Sequence, residues 1–269
     1  MKENHRGYPR NIIKTPQEIA LIEKAGQIVA ETLSLIEKHI RPGIEILELD
    51  KIAEEFILSK NAIPSFKGYE VDKKFYPNTL CISIDEVIIH GIPNKRQLQE
   101  GEIVSVDCGC QFEGYHGDSA YTFKVGQISD EKQKLLDVTE KALYLGIEQA
   151  VDKNKVFDIS RAVQNYVEQH GYSSPRELVG HGVGQNLHEE PSIPNHVPPL
   201  LHRNNFPNMK LQTGMTIAIE PMVMMSRNHN VITLKDGWTI VTSDKSPSAH
   251  FEHTVVIENQ KARILTARN

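Results

Sequence analysis

Two aspartates, Asp107 and Asp118, flank a short turn in a stretch that alternates apolar and polar residues, Ile103-Val-Ser-Val-Asp-Cys-Gly-Cys, then Phe112-Glu-Gly, then Tyr115-His-Gly-Asp-Ser-Ala-Tyr. This pattern specifies a tight antiparallel hairpin. With the turn centred on Phe112 and Glu113, the two carboxylates stand directly opposed on one face of the ladder, with Cβ atoms about 5 Å apart. Like charges so placed repel unless something positive lies between them. Three further donors stand in unusual contexts downstream: His181 in Gly180-His-Gly-Val-Gly, Glu220 in Ile217-Ala-Ile-Glu-Pro, and Glu252 in His250-Phe-Glu-His. Four carboxylates and one imidazole are the donor mixture that two hard or borderline divalent cations prefer. The hairpin therefore points to a two-metal hydrolase.

The rest of the chain reads as an ordinary globular frame. Its 269 residues are enough to bury a large core, as one large domain or two small ones. A net charge of −5 argues against a nucleic-acid surface, and so against a DNA partner. The basic stretch with Lys2, His5, Arg6, Arg10 and Lys14 reads as short and solvated, with residues 1–11 as the N-terminal arm of a single catalytic domain over 1–269. There is no apolar run near the roughly 18 residues a membrane span needs, and no signal-peptide core follows Met1, so a cytoplasmic protein is expected. Three cysteines, Cys81, Cys108 and Cys110, form no disulfide framework. Cys108-Gly-Cys110 lacks the second pair a zinc site would need, and alternation puts both thiols on the face opposite Asp107, where they serve packing.

Element order repeats. Thr15-Pro-Gln-Glu18 combines an N-cap, a proline at the first helical position and a capping-box glutamate, and it opens a helix that ends before Arg41-Pro-Gly. A second helix spans about 47–58, followed by strands at 80–84 and 87–90 and the aspartate hairpin. A third helix runs from Ser129 to about Ala150 and a fourth from about Asp158 to His170, before strands return near 216–222, 231–234, 239–241 and 253–257. Two helices then strands, twice over, predict two similar halves packed together, although no matching sequence repeat is present. The aspartates then belong to the first half, and Glu220 and Glu252 to strands of the second. Glu220 alternates with Ile217 and Ile219 and faces away from them, which requires a partner for the carboxylate.

Of twelve histidines, His39, His170, His202 and His229 lie in polar surroundings and read as surface residues. His90, His181 and His188 each stand near glycine, which permits close backbone approach to a ligand and argues against a regular helix from His181 to His188.

Seven segments in order, Val87-Ile-Ile-His-Gly-Ile-Pro93, Val106-Asp-Cys-Gly109, His116-Gly-Asp-Ser119, Gly180-His-Gly-Val-Gly with His188-Glu-Glu-Pro191, Ile219-Glu-Pro-Met222, Lys235-Asp-Gly-Trp238 and Phe251-Glu-His-Thr254, resemble the motif series of type I methionine aminopeptidases. The resemblance runs from about Ile12 to Leu265. It is bacterial in plan, without the helical insertion of type II enzymes or the zinc-binding N-terminal extension of eukaryotic type I forms. It implies the α+β "pita-bread" fold of two pseudo-symmetric halves around a central antiparallel sheet. It also implies two divalent cations, cobalt, manganese, iron(II) or zinc, held by Asp107, Asp118, His181, Glu220 and Glu252. Asp107 would bind one ion with both oxygens, Asp118 and Glu252 would bridge, and His181 and Glu220 would hold the other ion.

By the same resemblance, a metal-activated water attacks the first peptide bond, Glu220 shuttles its proton, His188 stabilises the oxyanion and His90 contacts the scissile nitrogen. The substrates implied are N-termini of nascent polypeptides with a small second residue, processed by a cytoplasmic monomer with transient ribosome contact. Positions matching the methionine pocket are Tyr76, Cys81, Leu187 and Trp238, with Phe66 or Tyr69 adding a wall. Leu187 stands where phenylalanine is common, and Gln185 and His250 replace residues often seen as arginine and glutamine. Extra residues Glu70-Val-Asp-Lys-Lys and Val197-Pro-Pro-Leu-Leu-His-Arg-Asn-Asn lengthen two loops. These departures bear on pocket shape and leave the five metal positions intact.

Three other readings compete. An Xaa-Pro peptidase of the same fold would share the five ligands but usually carries an additional N-terminal domain. A mononuclear iron oxygenase could use His116, Asp118 and a distant histidine, leaving Asp107, Glu220 and Glu252 unexplained. A non-catalytic peptide-binding module would be free to lose ligands, and all five are present.

Overall fold

The computed structural model describes residues 12–204 and 206–268. The expected arm, residues 1–11, lies outside the described residues, as does the side chain of His202. Lys14, expected to be solvated with the basic stretch, is buried instead, its Nζ 2.6 Å from Glu189 Oε2. Helix α1 (Pro16–Glu37) starts as its capping box predicts: Glu18 N donates to Thr15 Oγ1 at 3.3 Å, and the Glu18 carboxylate accepts from Thr15 N at 2.7 Å. Helix α2 (Ile46–Ser59) leads into short strands β1 (Ile63–Pro64), β2 (Glu70–Val71) and β3 (Lys74–Phe75), then β4 (Leu80–Ile84), β5 (Val87–Ile89), β6 (Ile103–Phe112) and β7 (Tyr115–Lys124). The second half opens with α3 (Asp130–Gln149) and α4 (Val156–Gln169), followed by β8 (Val179–Gly182) and β9 (Glu189–Pro194). It continues through β10 (Thr216–Ile219), β11 (Met222–Met224), β12 (Val231–Thr233), β13 (Ile240–Thr242), β14 (Ser248–His250), β15 (His253–Ile257) and β16 (Ala262–Ile264).

Strand β6 pairs with β4, β7 and the short β1, and a five-stranded sheet in the order β16-β15-β10-β8-β9 forms the counterpart. Each half buries its own core. Leu33, Ile36, Leu49 and Ile57 of the first helix pair cover Val104, Val106, Cys108 and Cys110 of β6, while Leu135, Leu143, Ile159 and Val163 of the second pair cover Ile217, Ile219 and Val255. Both thiols of Cys108 and Cys110 thus face the helices, on the side opposite Asp107, and all three cysteines are free.

The duplication absent from the sequence is present in the backbone hydrogen bonds. Residues preceding α2 and α4 make matching antiparallel bridges, Glu45 with Gln97 and Lys155 with Lys210. Leu98 N donates to Ile44 O at 2.9 Å, and Leu211 N donates to Asn154 O at 2.7 Å. Past those bridges β6 and β10 begin at Ile103 and Thr216, and the fifth position from each start is Asp107 and Glu220. Two metal-ligand candidates therefore occupy equivalent places in the two halves.

The aspartate hairpin differs from expectation in one detail. The turn residues are Glu113 and Gly114, with φ of 47° and 86°. A two-residue turn with both φ values positive matches the strand twist and favours glycine at its second position. Phe112 therefore stays in the strand, opposite Tyr115, and Asp107 pairs with Ala120 while Gly109 pairs with Asp118. The carboxylates are diagonal neighbours rather than directly opposed. Moving the turn by one residue moves each pairing by two, so both still project from the same face.

Candidate active site

A cavity of about 350 Å³ lies where the two sheets meet, lined by the expected metal, catalytic and pocket residues Asp107, Asp118, His181, Glu220, Glu252, His90, His188, Tyr76, Cys81, Leu187 and Trp238, together with Phe66 and Tyr69. Its acidic floor draws on both halves. Across their boundary, Ser119 Oγ donates to Glu252 O at 2.5 Å, Glu252 N donates to Ala120 O at 2.9 Å, and Thr254 Oγ1 donates to Asp118 O at 2.7 Å. These bonds tie the hairpin to the Glu252 segment and fix the floor as one unit.

His181 sits on β8, which is squeezed between β9 and β10. A Cβ at Gly180 would stand 2.4 Å from Ala218 O, and one at Gly182 would stand 2.3 Å from Glu190 O. The flanking glycines thus serve close strand packing rather than the direct ligand approach expected from the sequence. His181 Nδ1 donates to Gly182 O at 2.8 Å, which leaves Nε2 as a bare acceptor facing Asp118 Oδ2 at 3.9 Å and Glu220 Oε1 at 3.6 Å. A lone pair aimed at two carboxylates is unfavourable without a cation between them.

Three buried carboxylate oxygens, Asp107 Oδ1, Asp118 Oδ1 and Glu252 Oε1, lack hydrogen-bond partners. Unpaired charge of this kind is costly in a protein interior, and buried charges normally pair or coordinate metal. Asp118, His181 and Glu252 offer donor atoms within 4.8 Å of one another, as do Glu220, His250 and Glu252. The residues therefore fit a divalent cation centre. Without one, burial pushes the Asp107 carboxyl up to about 7, His250 opposing and Glu220 adding. Burial likewise raises Glu220 to about 8 and holds Asp118 and Glu252 well above the usual carboxylate range, their acidic neighbours adding to the rise. Burial lowers His181 to about 3, which keeps its imidazole neutral.

The other wall is apolar. Phe66, Tyr76, Cys81 and Leu187 form a buried cluster against which Tyr69, Ile92 and Trp238 pack. Tyr76 is pinned by its hydroxyl, which donates to Leu80 O at 3.0 Å and Gly91 O at 2.9 Å, and its ring meets Trp238 edge-on at 5.3 Å. Cys81 pairs directly with Asp107 across the β4–β6 ladder, so the pocket wall and the acidic floor adjoin on one sheet face. His90 adopts a left-handed φ of 57°, uncommon for a non-glycine residue, and hydrogen-bonds with the Trp238 backbone. Burial lowers its pKa to about 4. His188 stands at the rim, 4.3 Å between ring centroids from His181, with its Nδ1 2.6 Å from the Tyr69 hydroxyl.

Among the departures, Gln185 is exposed and donates to the Tyr115 hydroxyl at 3.1 Å, away from the cavity lining. The extra residues after Tyr69 build the β2–β3 hairpin, whose Val71 reaches the cavity. Within the second insertion Leu200–His202 form a short 3-10 turn, with Leu200 and Leu201 exposed. His250 is the unforeseen one. It is 2% exposed, and its Nε2 lies 3.3 Å from Glu220 Oε2. Its signal was His250-Phe-Glu252, since residues two apart in extended chain share a face. Tyr69 as the partner of His188, and Ile89, Leu178 and Met222 as cavity lining, had no such signal. Of the histidines read as surface residues, His229 is exposed, while His39 and His170 are half-buried with Nδ1 on Leu35 O and Tyr166 O.

Residues 20–259 match Metallopeptidase family M24. Methionine aminopeptidase 1 of Bacillus subtilis is 49% identical over 255 residues, covering 95% of this chain and 98% of the relative. Methionine aminopeptidase of Clostridium perfringens is 48% identical with the same coverage. The crystal structure of methionine aminopeptidase from Thermotoga maritima superposes with a TM-score of 0.88 at 39% identity, covering 95% and 99% of the two chains. Prolidase from Pyrococcus furiosus, 22% identical with a TM-score of 0.75 and 66% covered, shares the fold alone. The chain belongs to metallopeptidase family M24, among relatives that are methionine aminopeptidases at 40–49% identity over most of its length. Its fold is the pita-bread arrangement, which joins helix pairs to antiparallel sheet in two halves.

Proposed function

We propose that this chain removes the N-terminal methionine of nascent proteins and peptides whose second residue is small. Asp107, Asp118, His181, Glu220 and Glu252 hold two divalent cations from the manganese, iron(II), cobalt and zinc group. The observation that carries the reading is the union of five donors from both halves, three with unpartnered buried oxygens, beside an apolar pocket in a single cavity. Bound there, the cations supply a water acidic enough to ionise near neutral pH and polarise the substrate carbonyl.

The chain's own groups do the rest. The cluster of Phe66, Tyr76, Cys81, Leu187 and Trp238 receives the methionine side chain, whose sulfur packs favourably against aromatic edges. Glu220, whose Oε1 faces His181 and the cation site, carries a proton from the attacking water to the departing amine. His188, its Nδ1 paired with the Tyr69 hydroxyl, turns Nε2 to the developing oxyanion. His90 contacts the scissile nitrogen, and the space beside it and His188 admits only a small second side chain. The enzyme works as a cytoplasmic monomer with transient ribosome contact, and the chain forms one catalytic domain. Among the described residues no helix is long and apolar enough to cross a membrane.

The test is a peptide panel, Met-Ala-Ser, Leu-Ala-Ser, Met-Phe-Ser and Ala-Pro-Ser, presented to demetallated protein refilled with each cation in turn. Methionine release from Met-Ala-Ser alone, and only with metal, is expected. Comparable rates for Met-Ala-Ser and Met-Phe-Ser would remove the steric limit. Preferential cleavage of Ala-Pro-Ser would favour the Xaa-Pro peptidase reading instead.

A further inference from the structure

His250 is a buried imidazole at the floor of the site that none of the five metal positions accounts for. Its backbone is locked in place: His250 N donates to Thr122 Oγ1 at 2.9 Å, and Thr122 Oγ1 donates back to His250 O at 2.8 Å. Strand β14 then holds it against Met222 on β11, so the ring has a fixed root on the second half and a clasp on the first. The ring is 2% exposed and stands outside the cavity lining, behind Glu220.

The Glu220 carboxylate is divided between two imidazoles. Oε1 faces His181 Nε2 at 3.6 Å, and Oε2 faces His250 Nε2 at 3.3 Å. The two rings differ in what they can offer. His181 spends its Nδ1 proton on Gly182 O and presents a lone pair, whereas His250 Nε2 has no hydrogen-bond partner. A buried ring nitrogen left unpaired costs free energy that a proton shared with the adjacent carboxylate would recover. Hydrogen bonds at catalytic groups are often long in the unliganded site and tighten when the site is filled.

We infer that His250 is a positioning residue for Glu220: its Nε2 proton holds Oε2, so that Oε1 stays turned towards His181 and the cation site. This inference rests on the proposed role of Glu220 as the proton carrier. A carboxylate anchored on one oxygen keeps the other in place through the proton transfer, and one free to rotate does so less often. The proposal also predicts which substitution is tolerated. A glutamine amide N–H can replace the imidazole donor, and an alanine cannot.

The experiment compares His250→Gln, His250→Ala, Glu220→Gln and the double variant Glu220→Gln/His250→Ala. Each is assayed for kcat and KM on Met-Ala-Ser, for cation content by calorimetric titration of demetallated protein, and for the visible spectrum of the cobalt(II) form. In the otherwise native protein, His250→Ala is expected to lower kcat by about 10- to 100-fold, a part of what proton-transfer assistance supplies. KM and the number of bound cations should stay near native. His250→Gln should recover kcat to within about threefold, and His250→Ala should cost nothing further in the Glu220→Gln background, because residues acting as a unit are not additive.

Native kcat in His250→Ala overturns the inference, as does an undiminished loss in the double variant. Loss of one cation together with an altered cobalt spectrum in both His250 variants overturns it in favour of direct metal ligation. Near-native turnover by Glu220→Gln alone would remove the proton-carrier reading on which the inference rests, an outcome visible separately from any effect at His250. Apo-protein melting temperatures identify a variant that has merely lost its fold, and His250→Gln still decides the question in that case.

Discussion

The two halves begin alike and end differently. In the first, β6 and β7 pair without a break from Ile103 and Lys124 to Phe112 and Tyr115, and both aspartates belong to that ladder. In the second, β10 and β15 stop pairing at Ile219 and His253. Pro221 has no N–H to continue the ladder, and the chain leaves it at Glu220 and again at Glu252. Extending the β10–β15 register by one pair sets Glu220 across from Glu252. The direct opposition of like charges expected of the aspartates thus falls at the glutamates, where the ladder is interrupted before it resumes in the same register at Met222 and His250. A continuous ladder holds its carboxylates in one orientation, whereas a broken one frees a carboxylate to present its two oxygens to different partners, as Glu220 does to His181 and His250.

If that division of labour is right, loss of the Glu220 carboxylate should strike chemistry more than metal binding. Glu220→Gln keeps the shape and one acceptor oxygen but cannot carry a proton. We expect kcat on Met-Ala-Ser to fall by at least about a hundredfold, the scale of lost general acid-base assistance, with metal content measured in parallel. Near-native turnover at full metal loading would break the contrast between the halves.

The pH dependence of the metal-free protein sharpens it. Asp107 and Glu220 have folded-state pKa values raised to about 7 and about 8, so both take up protons on folding at neutral pH. Stability from a raised carboxyl is fully present below its unfolded value near 4 and is lost as pH rises through the folded value. The lowered histidines, His90 and His181, act in the opposite sense, but only below about 6.5, where the unfolded imidazole becomes charged. Between about pH 6.5 and 8.5 the carboxylates therefore decide, and the melting temperature of demetallated protein should fall by roughly 3–6 °C per pH unit. Added cation should remove the slope. A flat or rising apo profile in that window would mean the floor is not strained by unpaired charge.

The smallest effect belongs to the apolar wall. Leu187 is 4% exposed and packs with Phe66, Tyr76 and Cys81, next to His188. A phenylalanine there would add sulfur-aromatic contact worth roughly 0.3–1.5 kcal/mol and narrow the pocket. Leu187→Phe should change the methionine-to-leucine selectivity ratio by about 2- to 10-fold, with metal affinity unaltered. Altered metal binding at unchanged selectivity would make Leu187 a packing residue of the ligand loop.

How much of this was readable beforehand follows the same line between the halves. The helices were legible because caps and periodicity are local, as in the Thr15–Glu18 box. The shared face of Asp107 and Asp118 was legible because parity survives an error in the turn, but their register was not, since Phe112-Glu-Gly leaves two turn placements open and only the positive φ at both Glu113 and Gly114 decides between them. His250 is visible in the sequence as a departure but its place is not, because its neighbour Glu220 lies thirty residues away and meets it only where two strands break. The partnership of Tyr69 with His188 is likewise tertiary, made by a loop with no periodic pattern. Internal duplication was hidden because it resides in main-chain hydrogen bonds, which many side-chain sequences satisfy equally well.

The central claim is that the two halves jointly hold a pair of cations on which peptide cleavage depends, and titration of demetallated protein tests it most directly. Cobalt(II) or manganese(II) is added in steps while bound metal and methionine release from Met-Ala-Ser are followed together, for the native chain and for Asp118→Asn. The native protein should be inactive without metal and bind two ions, with activity returning as they bind, whereas Asp118→Asn, which removes one floor carboxylate of the first half, should bind fewer and regain almost no turnover. Full methionine release by thoroughly demetallated native protein, or two-ion binding with native turnover by Asp118→Asn, would contradict the account.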